Sequence, residues 1–417
     1  MKSRRICSRL AVHCAALILV WMFTGSAMAA GPTETVLHNF TSQADGGYPV
    51  AGLILDQTGA LYGTATIGGD YDACDQGGAC GVVFKLTPPS NGGGWTESVL
   101  YEFQYQDPYP PSTNLVFDQL GNLYGGTGPG ENGSAIFQLT ESAGAWSMNP
   151  IYEPGGGTPI FDRKGNLYVF GGGTDGSVVE LTQQPDGTWN PTTLYTFGGG
   201  QDGQYPQGGV VGDRAGNLYG VTLFGGGSTD CGIVFELSPQ ANGTWTESIL
   251  HSFTGGSDGC YPYAAVILDL HGNLYGTTLS GGIGPCANQC GVVFELSPPS
   301  VSGAAWTESI LHTFNSKDGA NPQASLTMDS TGALYGTTAG GGNGPCEPTG
   351  SGCGTVFRLT PPSHPGGVWS EIFFSFQGLN GETPLANVLL DESKGVLYGT
   401  TRNGGTYGYG TAFQIAR

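Results

Sequence analysis

Positive charge is scarce in this chain. Its 417 residues hold 13 lysines and arginines against 33 aspartates and glutamates. Four of the basic residues (Lys2, Arg4, Arg5 and Arg9) precede Ala30 and every acidic one follows it, so the remainder carries 9 − 33 = −24. A surface this acidic repels phosphate backbones and anionic lipid, which argues against nucleic acid and membrane surfaces as partners. The cysteines lack a zinc-site spacing with nearby histidines, and the 75 glycines lack the three-residue period of collagen. The apolar run from Leu10 to Phe23 is too short to span a bilayer comfortably. With Lys2, Arg4 and Arg5 before it and Ala27-Met28-Ala29 after it, the run reads as a secretory signal peptide over residues 1–29. Residues 30–417 are then one exported domain, free of membrane insertion once the signal is removed.

What the chain has is repetition. Gly272-Asn273-Leu274-Tyr275-Gly276-Thr277-Thr278 is one of seven copies, the others centred on Tyr62, Tyr124, Tyr168, Tyr219, Tyr335 and Tyr398. Successive copies lie 62, 44, 51, 56, 60 and 63 residues apart. A period of this size marks a propeller, a solenoid or an array. Each repeat divides into four short β-branched and aromatic runs bounded by turn residues, which read as strands. The first turn opens on an aspartate (Asp56, Asp118, Asp162, Asp213, Asp269, Asp329 or Asp391) and closes on a glycine that takes positive φ.

Four antiparallel strands repeated radially make a β-propeller blade, so the expected fold is an all-β, seven-bladed propeller. The ends of the chain support it. The last repeat, residues 384–417, stops after its third strand, and residues 33–40 (Thr33 to Phe40) match the fourth-strand runs at 96–103, 246–253 and 307–314. That strand completes the last blade and closes the ring, leaving no exposed sheet edge. A monomer is expected.

The Leu-Tyr-Gly-Thr-Thr…Gly-Gly…Gly-Val-Val-Phe pattern resembles the tandem GloVer repeat of exported bacterial proteins over essentially all of residues 30–417. The resemblance implies an exported repeat protein and supplies no catalytic or binding residues.

Eight cysteines follow the signal. Cys74 and Cys80, Cys286 and Cys290, and Cys346 and Cys353 share loops pairwise, while Cys231 and Cys260 fall in two loops that a propeller brings to one face. An even count in an exported chain points to disulfides. His38, His251 and His312 occupy a fourth-strand position held elsewhere by Tyr101, Tyr152, Tyr195 and Phe374, so the position asks for an aromatic body. No nucleophile, histidine or unique carboxylate pair stands out, and no catalytic residue is assigned.

Candidate binding residues lie on the loops that lead into the blades. Asp45 to Pro49, Asp202 to Pro206 and Asp258 to Pro262 repeat one pattern, with a looser copy at Asp107 to Pro110. Tyr48, Tyr109, Tyr205 and Tyr261 would offer stacking faces beside Asp45, Asp202 and Asp258, on loops that a rigid scaffold holds at the channel mouth. The plainer reading is a turn in which Tyr packs before a rigid Pro. Asp70, Asp72 and Asp75 could together hold Ca²⁺, although they lack the spacing of a calcium loop; no other cofactor is expected. The function expected from the sequence is recognition or scaffolding through a glycan or protein partner. An extracellular glycosidase or lyase is the competing reading.

Overall fold

The repeated tyrosine motif is a packing code, and the fifth blade shows how it works in the computed structural model. The structure describes residues 33–417 apart from 70–79, 109, 129–132, 284–285, 287–289, 302, 347–351 and 365. In the fifth blade Ile267–Leu268, Leu274–Thr278, Val292–Ser297 and Thr307–Thr313 pair antiparallel in chain order. Leu274 and Tyr275 point to opposite faces, and both are buried because a neighbouring blade covers each face. Gly276 lies directly opposite Phe294. A Cβ on Gly276 would come within 2.5 Å of the Phe294 ring tip, so the glycine makes room for the aromatic ring. Asp269 fastens the preceding turn: its Oδ1 accepts the His271 and Asn273 N–H groups at 2.7 and 2.9 Å, and its Oδ2 accepts the Tyr275 hydroxyl.

The threonines of the motif bind the blades together. Thr277, Thr337 and Thr400 donate their hydroxyls to the carbonyls of Ala324, Ala386 and Ala51, each on the next blade around the ring. A second ring of contacts lies further out. Phe253, after the fourth strand of blade four, meets Phe294 of blade five edge-on at 5.2 Å; Phe40 and Phe84, Phe314 and Phe357, and Phe376 and Phe413 repeat this contact. Edge-to-face pairs of this kind contribute about 0.5–1.5 kcal/mol each beyond their buried area.

Blade three departs from the code in a compensated way. Val169 replaces the motif glycine, and the residue opposite it is Val179 where other blades have phenylalanine. One side chain grows as its partner shrinks, so the pair still fills the space.

There are seven four-stranded sheets among the described residues. Thr33–Asn39 pairs antiparallel with Thr411–Ala416 and completes the seventh blade, so the ring closes as the sequence predicts. Disulfides join Cys231 to Cys260, Cys286 to Cys290 and Cys346 to Cys353. Cys80 is disulfide-bonded too, and Cys74 lies outside the described residues.

Candidate functional site

The loops leading into the blades converge on one end of the ring. In five of them the residue before proline (Tyr48, Tyr205, Tyr261, Asn321 or Thr383) has φ between 52° and 62°. This left-handed conformation costs a residue with a side chain about 1–2 kcal/mol. The backbone there has a fixed task. The N–H groups of Tyr205 and Tyr261 donate to Asp175 and Cys231 of the preceding blade, and the Tyr261 carbonyl accepts from Leu279 of its own. Asn321 and Thr383 make the same N–H bonds, to Cys290 and Cys353. The task therefore does not require a tyrosine side chain.

At the channel mouth lies a cavity of about 880 Å³, which takes lining residues from every blade, from Ala51 in the first to Ala386 in the seventh. Tyr205, 49% exposed, lines it directly. Tyr261 continues the aromatic surface through Phe224, whose ring lies 6.0 Å from Tyr205 and 5.5 Å from Tyr261. Tyr48 stands under the Arg402 guanidinium at 5.5 Å, and Arg402 lines the cavity. Tyr109 lies outside the described residues, as do Asp70, Asp72 and Asp75. Gly81 meets Pro111 as Gly232 meets Pro262, so the position matching Tyr261 in blade two is Pro110.

The three loop aspartates are not part of this lining. Asp258 accepts the Thr254 N–H and hydroxyl, Asp202 the Gly198 N–H and the Tyr195 hydroxyl, and Asp45 the Thr41 N–H and hydroxyl. Each closes its own turn. Burial pushes the Asp45 carboxyl up, but hydrogen bonds from His38 and Thr41 outweigh it and hold the group below its ordinary range.

Two lining residues escape sequence reasoning. Tyr263, 41% exposed, stands two positions beyond Tyr261, and Arg402 directly follows the last motif copy. An i, i+2 aromatic pair was the available signal for the first; nothing local marks the second. Deeper in, the Asn114 side chain accepts the Gly52 N–H at 2.6 Å and donates to Asn387 at 2.8 Å, tying blades one, two and seven at the neck. Gly208, at φ 74°, comes so close to the Ala265 backbone that a Cβ would lie 2.1 Å from its nitrogen. Among the described residues lining the mouth there is no carboxylate, and Arg402 is the one charged side chain.

A closed ring of seven four-stranded blades around a polar, aromatic mouth defines the class: a β-propeller with an opening of small-ligand size. The sequence model of the Gloeobacter/Verrucomicrobia repeat matches residues 153–413, more than half of the chain, and the chain belongs to that family. Among curated proteins, none matches it by sequence. Similar solved structures include the extracellular domain of a putative hybrid two-component system from B. thetaiotaomicron, at 13% identity and TM-score 0.55. That match covers 93% of this chain and 43% of that one, so this chain spans less than half of that protein. A putative 6-phosphogluconolactonase from Bacteroides uniformis matches at 15% identity and TM-score 0.50, covering 84% and 89% of the two chains. A luciferin-regenerating enzyme matches at 17% identity and TM-score 0.46, over 81% and 98%. These likenesses are likenesses of fold. The disulfides fit an exported protein, and among the described residues no helix is long and apolar enough to cross a membrane.

Proposed function

We propose that this protein is an exported recognition propeller that binds a glycan at its tyrosine-bordered channel mouth. The observation that carries the reading is the lining. Tyr205 and Tyr263 present aromatic faces beside hydroxyls, amides and glycine backbone, with one cation and no carboxylate among the described lining residues. Sugars are recognised by such a set: ring faces stack on aromatic side chains while hydroxyls exchange hydrogen bonds with amides and alcohols. A glycosidase needs two carboxylates at defined separation, and the described lining residues include none. The left-handed tyrosines add weight, since backbone strain kept where asparagine would relax it suggests use of the side chain. Fold alone does not decide, because propellers host both binding and catalysis.

The test is binding of the purified chain to a broad glycan array, followed by affinity measurement on any positive glycan. Tyr205→Ala and Tyr263→Ala should each weaken binding by about threefold to tenfold, the loss of one aromatic contact. No glycan bound by well-folded protein, or affinity unchanged in both variants, would remove the proposal and favour a protein partner.

A further inference from the structure

The histidines treated in the sequence as aromatic packing residues lead to a second site, away from the mouth. At the junction of blades four and five, His251, Asp258 and Glu308 turn one donor atom each toward a common point. At the junction of blades five and six, His312, Asp318 and Glu371 repeat the arrangement. In each set the three ligand atoms lie within 4.8 Å of one another. The histidine comes from the fourth strand of one blade, the aspartate from the connecting loop, and the glutamate from the fourth strand of the next.

These atoms converge without bonding. His251 Nε2 is 3.5 Å from both Asp258 Oδ2 and Glu308 Oε1. His312 Nε2 is 3.5 Å from Asp318 Oδ2 and 3.7 Å from Glu371 Oε1. Both histidine nitrogens and both glutamate oxygens are buried and make no hydrogen bond among the described residues. A charge-assisted N–H···O bond would bring such atoms to about 2.7–2.9 Å. The observed separations instead match the edge of a tetrahedron around a metal with ligand bonds of about 2.0–2.2 Å, which is about 3.4 Å.

We propose that these two blade junctions are binding sites for a divalent transition metal of the zinc type, each held by one imidazole nitrogen and two carboxylates. The ligand set neutralises the ion: one neutral histidine and two carboxylates carry −2. The aspartates are already oriented. The Thr254 N–H and hydroxyl hold Asp258, and the Asn315 N–H and side-chain amide hold Asp318. Outer partners of this kind fix ligand geometry at metal sites. Partial exposure of each set, 10–20% of the side chains, leaves a path for the ion and a water as fourth ligand.

Three of the remaining junctions show what loss of the site looks like. His38, Asp45 and Glu97 are the same residue types, but His38 Nε2 has closed onto Asp45 Oδ2 at a hydrogen-bonding 3.0 Å. Between blades three and four Tyr195 replaces the histidine and bonds Asp202 directly. Between blades six and seven Phe374 replaces it, and Asn380 donates to Glu34 instead.

Phe374 also supplies the test variant, because its ring keeps the edge contact with Phe376 that His251 and His312 make with Phe253 and Phe314. Calorimetric titration of the metal-free chain with Zn²⁺ should show two equivalents bound. His251→Phe and His312→Phe should each leave one, the double variant none, and His38→Phe should leave both. Co²⁺ in place of Zn²⁺ should give the intense visible bands of tetrahedral coordination, absent in the double variant. No uptake by folded protein, or uptake undiminished in the double variant, overturns the proposal.

Discussion

Replacing Gly276 with valine should destabilise the fifth blade, and replacing Phe294 with valine in the same chain should leave the double variant more stable than either single one. Gly276 does not use a left-handed backbone, so the cost of the first change is steric: a Cβ at 2.5 Å from Phe294 Cζ and 3.2 Å from Val266 Cγ1, then two methyls beyond it. Overpacking of this size costs about 3 kcal/mol. Phe294→Val alone removes four carbons from a fully buried ring, about 3 kcal/mol at about 0.8 per carbon, and the edge contact with Phe253, about 1 more. Independent effects would sum to about 7 kcal/mol. Together, however, the changes reproduce the Val169–Val179 pair of blade three, with a net loss of one carbon and one aromatic contact. The double variant should therefore lose only about 2 kcal/mol. Equilibrium denaturation of the four proteins with disulfides intact, followed by tryptophan fluorescence, gives the cycle, and amide exchange in blade five localises it. A double variant as unstable as the sum of the single ones would refute the claim that the motif glycine exists to admit the phenylalanine.

Two further outcomes follow from burial and from connectivity. Burial pushes the Glu97 and Glu247 carboxyls up to about 7, so the folded state holds a proton that the unfolded chain releases near 4.5. Here the protonated form is the favoured one when folded; its stabilising effect is complete below about pH 4.5 and is lost as pH rises through about 7. Glu97→Gln and Glu247→Gln should each raise stability at pH 8 relative to pH 4.5, by about 1 kcal/mol once solvent screening is allowed for, and melting curves at the two pH values that shift equally would contradict this. The Cys231–Cys260 bridge closes a loop with a sequence separation of 29, so its removal by the paired Ser substitutions should cost about 3–4 kcal/mol. The Cys286–Cys290 bridge, with a separation of 4, should cost about 2 when removed, and denaturation midpoints falling in the opposite order would count against loop closure as the cause.

The parts of the molecule legible in the sequence are those repeated in it. Strand order, the aspartate turns and the matching of Thr33–Asn39 to the other fourth strands recur often enough to be read without coordinates. The Cys231–Cys260 disulfide follows the same logic, because the repeats already imply the blade geometry that brings the two loops to one face. The site residues resisted for a physical reason: a propeller builds its mouth and its junctions from single residues on different blades. Arg402 and Tyr263 line the mouth from blades seven and five. Glu308 meets His251 across 57 positions of chain, a spacing no local motif expresses. Reading His251 as an aromatic body captured the ring, which does pack edge-on against Phe253, and missed the nitrogen. The loop aspartates recur because each closes its own turn, and their carboxylates stand outside the lining of the mouth.

The pairing of Thr33–Asn39 with Thr411–Ala416 has a consequence in time as well as in space. Asn39 and Thr411 are 372 positions apart, so the contact that shuts the ring is among the most non-local the chain makes. A polypeptide emerging from its N-terminus carries the first strand unpaired until almost the whole sequence is available, while the intervening blades form from nearby segments. Ring closure is thus a late pairing, made only after the seventh blade's third strand has emerged. A truncated chain keeps an open sheet edge and an unmatched strand, the features that mark an incomplete molecule for aggregation or proteolysis, whereas the full chain hides both at once.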